Sequence, residues 1–356
     1  MSSAGDQGAP GSRRRLPARR GTAATLADVA RLAAVSTASV SRALNAPDLV
    51  SRDIVEKVRR ASAELGYAPH AAARALAAAR SRTIGIVVPT IALSIFAGGI
   101  EAIEQELEAH GYSLVIATSG YDTARELAQV RRLVARGVDG IILVGLEHDP
   151  NLKGALAEAG LPYICQGAYG EAQPHPCCGF DNAKAIRLAV DHLLELGHRR
   201  VAILAGIRRD NDRVAERIRG ALERLRATGL EPVGISESGY SISEGRRRAA
   251  ELLAAEPTAI LCINDVLATA AMCEAHSRGI AVPDQISVTG FDDFEFAANM
   301  YPSLTTVRVP VDLMGRSAAR LLVSALRGEA TPLATEIPTE LVIRESTAPP
   351  SRSSRS

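Results

Sequence analysis

From Thr83 onward, short uninterrupted apolar runs alternate with stretches whose apolar residues recur every three or four positions. The runs TIGIVVP, YSLVIAT, VDGIILVG, VAILAG, AILCIN and QISVTGFDD predict strands. They are apolar on both faces, as parallel strands covered by helices on each side must be. The intervening segments IEAIEQELEAHG, ELAQVRRLVARG, AIRLAVDHLLELG, VAERIRGALERLRATG, GRRRAAELLAA and VLATAAMCEAHSRG carry helical periodicity. Two successive strand-helix-strand series predict an α/β two-lobed clamp over residues 83–345, built from two doubly wound parallel sheets. A ligand crevice is expected at the carboxyl ends of the strands.

Ahead of this body lie three shorter helical patterns, Leu26 to Ala33, Thr37 to Leu44 and Arg52 to Leu65, with a loop from Asn45 to Ser51. Leu26, Val29, Ala30 and Leu32 form the apolar face of the first, and Val40, Ala43 and Leu44 that of the second. The tight connection Ala33–Ser36 makes the pair an all-α helix-turn-helix head whose second helix can lie in a major groove. An alanine-rich hairpin that binds nothing has the same pattern. Thr25 with Asp28 matches a capping box, and Ser51 can cap the third helix. PHAAARALAAA, residues 69–79, is too short to hold a helix alone in water. The expected domains are therefore a tail, 1–24; the head, 25–68; a linker, 69–82; the clamp, 83–345; and a second tail, 346–356, the tails lacking periodicity.

The 356 residues suffice for two or three domains. No apolar run approaches the ~20 residues of a membrane span. The first twenty residues have arginines without an apolar core behind them, unlike a secretory signal, and the cysteines are five, an odd and sparse set. Both features lead to the expectation of a cytoplasmic protein with free thiols. The net charge of +1 conceals an asymmetry: residues 13–82 carry +9 and the remainder −8. A basic segment on an acidic body is the footprint of a nucleic-acid-binding head on a domain that avoids DNA.

TLADVARLAAVSTASVSRALN followed by VSRDIVEKVRRASAELGYAPHAAARALAAARSRTIGIVVP closely resembles the lac-repressor (LacI/GalR-type) transcription regulators. The resemblance continues through GVDGIILVG, HLLELGHRRVAIL, RIRGAL, INDVLA, VPDQISVTGFDD and PSLTTVRVP, in the family's order and spacing over about residues 25–345. It implies that Thr37 and Ala38 read major-groove bases and that Thr25, Ser36, Ser41, Arg42 and Asn45 contact bases or phosphate. Arg42 can bind guanine bidentately, whereas Ala38 offers only a methyl contact to thymine. The resemblance also makes residues 69–79 a hinge helix, with Leu76 wedged into a minor-groove step from each of two subunits. For the effector crevice it points to Phe96, Arg217, Tyr240, Asn264, Asp265 and Asp292. Such a set suits a polyhydroxylated ligand, through hydrogen bonds and an apolar face to stack.

Some positions depart from well-known relatives. The loop before RIRGAL is one residue longer and adds Arg208, Arg209 and Arg213, which suit either an anionic ligand, such as a sugar acid or sugar phosphate, or a solvated charge cluster balanced by Asp210 and Asp212. Gly167 and Val309 stand where some sugar-binding relatives place polar contacts. His175, Cys177 and Cys178 lack the paired spacing of a zinc site, and no phosphate-cradling glycine loop or nucleophile motif occurs. No cofactor, metal or catalytic group is expected, and His198 reads as a loop residue fixing the next strand. The function expected is therefore that of a homodimeric repressor of a near-palindromic operator, controlled by a small metabolite. A periplasmic-type sugar-binding transport protein shares the clamp, but not the basic head.

Overall fold

The computed structural model describes residues 24–45, 47–67, 81–170 and 173–351. The chain divides into two units, Met1–Ala79 and Arg80–Ser356.

In the first unit, α1 (Leu26–Leu32), α2 (Thr37–Asn45) and α3 (Arg52–Glu64) follow one another, with a single 3-10 turn at Pro47–Leu49. The α1 capping box is present in both directions: Thr25 Oγ1 accepts from the Asp28 amide, and the Asp28 carboxylate accepts from the Thr25 amide. Ser51 caps α3 through Ile54 N. Val29, Ala30, Ala33, Val40, Ala43, Val58 and Ala61 form the core. Leu32, expected on the apolar face, is 44% exposed; Ala33, four residues on from Val29, takes the inward position instead. Between α1 and α2 the chain turns through Ala34 at φ +53°, a left-handed conformation for a residue with a Cβ.

The second unit has two lobes. The first sheet contains β1 (Thr83–Val88), β2 (Ser113–Thr118), β3 (Gly140–Val144), β4 (Tyr163–Gln166), β5 (Cys177–Gly179) and β11 (Ala334–Glu336), in the order β11-β5-β4-β3-β1-β2. Every pairing in it is parallel. The second contains β6 (Val201–Ala205), β7 (Gly234–Glu237), β8 (Ala259–Cys262), β9 (Ser287–Asp292), β10 (Thr305–Arg308) and β12 (Glu340–Val342), in the order β12-β10-β9-β8-β6-β7. It is parallel apart from β12, which runs antiparallel to β10. The helices are α4 (Ser94–Ala109), α5 (Thr123–Ala135), α6 (Leu152–Glu158), α7 (Asn182–Glu195), α8 (Asp212–Arg226), α9 (Ile242–Leu253), α10 (Asp265–Ser277), α11 (Glu295–Asn299) and α12 (Val311–Leu326).

The chain passes between the lobes three times, after β5, β10 and β11. Thus α12 packs on α4 and on the first sheet although it follows the second lobe in sequence. Central strands β1, β3, β6, β8 and β9 are almost wholly buried, which is why the apolar runs revealed them. β4, β5, β7, β10, β11 and β12 span three or four residues and, unlike the equally short but wholly apolar β8, show too little pattern to be read in advance.

The clamp extends past the expected boundary at residue 345. Ser346 is fully buried: its Oγ donates to Val288 O and accepts from Thr305 N. His198, also buried, bonds Thr258 and Ser287 and stands 3.0 Å from Ala348 O, fixing this segment to the second sheet. Residues 346–348 therefore belong to the clamp and not to a disordered tail. Among the described residues, no helix is long and apolar enough to cross a membrane. All five cysteines are free, and only Cys273 is exposed.

Candidate functional site

On the head, α2 buries Val40 and Ala43 and turns Thr37, Ala38 and Arg42 outward, with Ser41 half-buried. Positions 37, 38, 41 and 42 fall on one side of a helix by its 3.6-residue period, so they form one face. Ser36 begins α2 as a cap: its Oγ accepts from Ser39 N at 3.1 Å and lies 2.9 Å from Ser39 Oγ. Thr25 and Ser36 thus both hold helix ends, and Thr37, Ala38 and Arg42 are the exposed members of that face. The Asn45 side chain, Leu76 and the expected hinge, 69–79, lie outside the described residues.

The carboxyl ends of the two sheets meet at a cleft whose cavity measures about 70 Å³. Of the expected effector residues, Phe96, Arg217, Tyr240, Asn264 and Asp292 all line it. Arg217 is at its centre. Nε donates to Asn182 Oδ1 (2.8 Å) and Nη1 to Ile263 O (2.9 Å), while the guanidinium lies 3.7 Å above the Phe291 ring centroid. Burial lowers its pKa from the ordinary arginine value, and Asp292 works against that fall. Asp292 ends β9 at φ +116°, followed by Asp293 at +59°, so two non-glycine residues occupy strained backbone where the chain bends into the cleft. Burial pushes the Asp292 carboxyl well above the usual carboxylate range, with Arg217 opposing.

Asp265 has another task. It is fully buried and does not line the cleft. Its carboxylate accepts from Thr306 Oγ1 at 2.6 Å and from Phe294 N at 2.8 Å, bracing the turn that carries Asp292. Burial pushes its pKa up to about 7 against those two bonds. The resemblance-based assignment of Asp265 as an effector ligand is therefore corrected: both oxygens already serve the protein, and the residue positions its neighbour.

The lobes are tied across the cleft by polar contacts from the start of α8. Asp212 Oδ2 accepts from Leu146 N (2.8 Å), and Arg213 Nη1 donates to Val144 O (3.0 Å) and to Asp212 Oδ1 (2.9 Å). Gly145 lies beneath them at φ +89°, where a side chain would collide with Arg213. Asn182 Nδ2 adds a bond to Gly167 O, and Tyr121 stacks on Tyr240 with centroids 5.4 Å apart. Arg208 and Arg209 point elsewhere: they are 59% and 85% exposed, and they pair with Glu237 and Asp210. Of the three extra arginines only Arg213 reaches the cleft, and it arrives already bonded.

Sequence reasoning missed Tyr121, Gln166, Phe180, Asn211 and Phe294, all of which line the cleft. Tyr121 sits at φ +60° directly after the Gly120 turn, and Gln166 is the single polar residue ending YICQ. That terminal position of a buried strand is the one signal that could have singled Gln166 out. Six buried side-chain polar atoms among the described residues lack a hydrogen-bond partner, and three of them, Gln166 Oε1, Asn211 Oδ1 and Asp292 Oδ1, belong to cleft residues. Gln166 Oε1 and Asn211 Oδ1 are acceptors, and so is Asp292 Oδ1 when its carboxyl is ionised. An acceptor buried without a donor costs about 1–3 kcal/mol, so the cleft is built to receive donors.

Two family models match the chain: the lacI family of bacterial regulatory proteins over residues 25–70 and the periplasmic binding protein-like domain over 190–347. The HTH-type transcriptional regulator CelR of Thermobifida fusca is 36% identical over 90% of this chain and 98% of its own length. Among solved structures, the lac repressor dimer bound to operator and the anti-inducer ONPF superposes with TM-score 0.83 at 30% identity, over 92% of this chain and all of that one. The transcriptional regulator CelR–cellobiose complex is similar with TM-score 0.66 at 34% identity, over 91% of this chain and 99% of that one.

Proposed function

The chain belongs to the lacI family of bacterial regulatory proteins, and on that premise we propose that it is a cytoplasmic operator-binding repressor whose DNA affinity is set by a neutral, polyhydroxylated metabolite in the cleft. The observation that carries the ligand class is the trio of partnerless acceptors at Gln166, Asn211 and Asp292, beside the rings of Phe96, Tyr121, Phe180, Tyr240 and Phe294. Hydroxyl groups supply the missing donors, and a sugar's apolar face stacks on a ring. An anionic ligand is disfavoured, because Arg217 already donates from Nε and Nη1 and Arg213 from Nη1, and the orphaned acceptors would repel further negative charge. The relatives support the same class: one is recorded in complex with cellobiose.

In this reading the cleft binds its ligand, and the binding energy drives the switch. At about 70 Å³ the cavity is smaller than the roughly 300–1,000 Å³ of small-molecule sites. Accommodating a sugar therefore requires the lobes to part at the Asp212–Leu146 and Arg213–Val144 contacts, and that movement is the switch. Operator reading by a dimer, as in the lac repressor complex, assigns two α2 faces to two half-sites. The test is selection of bound duplexes from a random library, followed by titration of the recovered site with neutral sugars and with sugar acids. A palindrome whose binding is altered by a neutral sugar supports the proposal; a response confined to anionic sugars, or no enriched sequence with or without metabolites, rejects it.

A further inference from the structure

The first lobe holds a cluster for which the cleft has no use. His148, in the loop after β3, places Nδ1 2.7 Å from Glu126 Oε2 and Nε2 3.3 Å from Cys165 Sγ. All three side chains are buried. Cys165 on β4 pairs directly in register with Cys177 on β5. The two pack into the same apolar cluster with Leu127, Val130 and Leu143, whereas Cys178 packs with the cluster on the opposite face. His175 completes the group: Nδ1 lies 2.8 Å from Tyr163 OH, and its ring meets His148 edge-on. A thiol within reach of an imidazole that is itself oriented by a carboxylate is the arrangement that activates a sulfur nucleophile. Among the described residues, no group of three or more His, Cys, Asp or Glu stands at metal-holding distances, which favours thiol chemistry over metal binding.

We propose that Cys165 and Cys177 form a peroxide-responsive thiol pair, with His148 as the base for Cys165 and Glu126 as the group that orients His148. Residues paired across neighbouring strands lie about 4.8 Å apart, inside the roughly 4.4–6.8 Å Cα window of a disulfide. Burial raises both thiols above the ordinary cysteine value, so the resting pair is protonated and the thiolate forms as His148 takes the proton. The Cys165 sulfur then attacks one peroxide oxygen; an S–O bond forms, the O–O bond breaks, and the departing hydroxide takes the proton from His148 as water. Cys177 attacks the resulting sulfenic sulfur, forming the S–S bond, and the hydroxyl leaves with the Cys177 proton as a second water. Two thiols are oxidised and one hydrogen peroxide is reduced by two electrons. A surface pocket bounded by Asp122, Thr123, Glu126 and Glu147 brings solvent to Glu126, the outer end of this chain of contacts. The link forms one residue from Gln166 in the cleft.

The test uses the full chain carrying Cys273→Ser, so that the exposed thiol is silent. The protein is treated with hydrogen peroxide, alkylated under denaturing conditions and mapped by mass spectrometry. The expected product is a Cys165–Cys177 linked peptide that dithiothreitol releases. Cys177→Ser is expected to yield a Cys165 sulfenic acid trapped by dimedone, and His148→Gln to slow Cys165 oxidation on the order of tenfold or more with circular dichroism unchanged. Should His148→Gln fail to fold, the Cys177→Ser trapping result decides. Reduced Cys165 and Cys177 at peroxide doses that oxidise Cys273 of the parent protein would overturn the proposal. Equal oxidation rates in folded His148→Gln and its parent would do the same, as would zinc retained after dialysis that blocks both thiols.

Discussion

Arg217 Nη1 stands 3.7 Å from Asp292 Oδ1, within ion-pair range but beyond hydrogen-bond distance, so the cleft contains a buried pair that is joined by charge and left unjoined by a proton. A hydroxyl between them could accept from the arginine and donate to the carboxylate. Removing one member leaves the other as an uncompensated buried charge. Arg217→Gln is therefore expected to cost about 3–5 kcal/mol of stability and to abolish the response to the metabolite, with thermal unfolding and ligand titration as the two readouts. An unchanged melting temperature would show that Asp292 is neutralised without Arg217.

Gln166→Met is expected to move stability and ligand binding in opposite directions. It keeps the side-chain length and removes the orphaned Oε1. The empty protein gains from losing a buried acceptor without a donor, while metabolite affinity falls about tenfold, the worth of roughly one hydrogen bond. Differential scanning fluorimetry, without and with ligand, separates the two effects.

Ala34→Gly is expected to stabilise the head by about 1 kcal/mol, because glycine adopts the left-handed turn at φ +53° without the Cβ clash. Denaturant unfolding measures the gain. Ala34→Val at the same position should lose stability.

Arg42→Ala is expected to weaken operator binding by about 1–3 kcal/mol and to relax the preference at one base pair of each half-site. Competition between the selected operator and variants at each position locates that base pair. A uniform loss over all sequences would assign Arg42 to phosphate instead.

Acid should loosen the second lobe through His198. Burial lowers its folded pKa to about 4, whereas the unfolded chain titrates near the ordinary histidine value of 6.5. Between those values the unfolded state binds the extra proton, so stability is full above about 6.5 and is lost as pH falls towards 4. His198→Gln should flatten that part of the stability profile. Asp265 has the converse sign: with its folded pKa raised to about 7, its contribution falls as pH rises from about 4 to 7. Asp265→Asn should therefore compare better with the parent at pH 8 than at pH 4 in thermal unfolding.

The sequence by itself determined the elements whose surroundings impose a local period. The three head helices begin at Leu26, Thr37 and Arg52 as their caps and apolar spacing require, and the central strands are the fully apolar runs. Motif resemblance likewise located Asn264 and Asp292 at strand ends that meet at the cleft, and Arg217 on the helix α8 that lines it. Only the tertiary structure decided the rest, because those relationships join positions with no shared period. Asp265 and Thr306 are 41 residues apart, and their bond turns an expected ligand group into a brace. Ser346 is buried because β9 and β10 offer it partners, although its own segment reads as a polar tail. Glu126, His148 and Cys165 converge from a helix, a loop and a strand, each unremarkable in its own stretch. Local pattern reports which side of an element is dry; which distant residue waits there is fixed by how the elements pack.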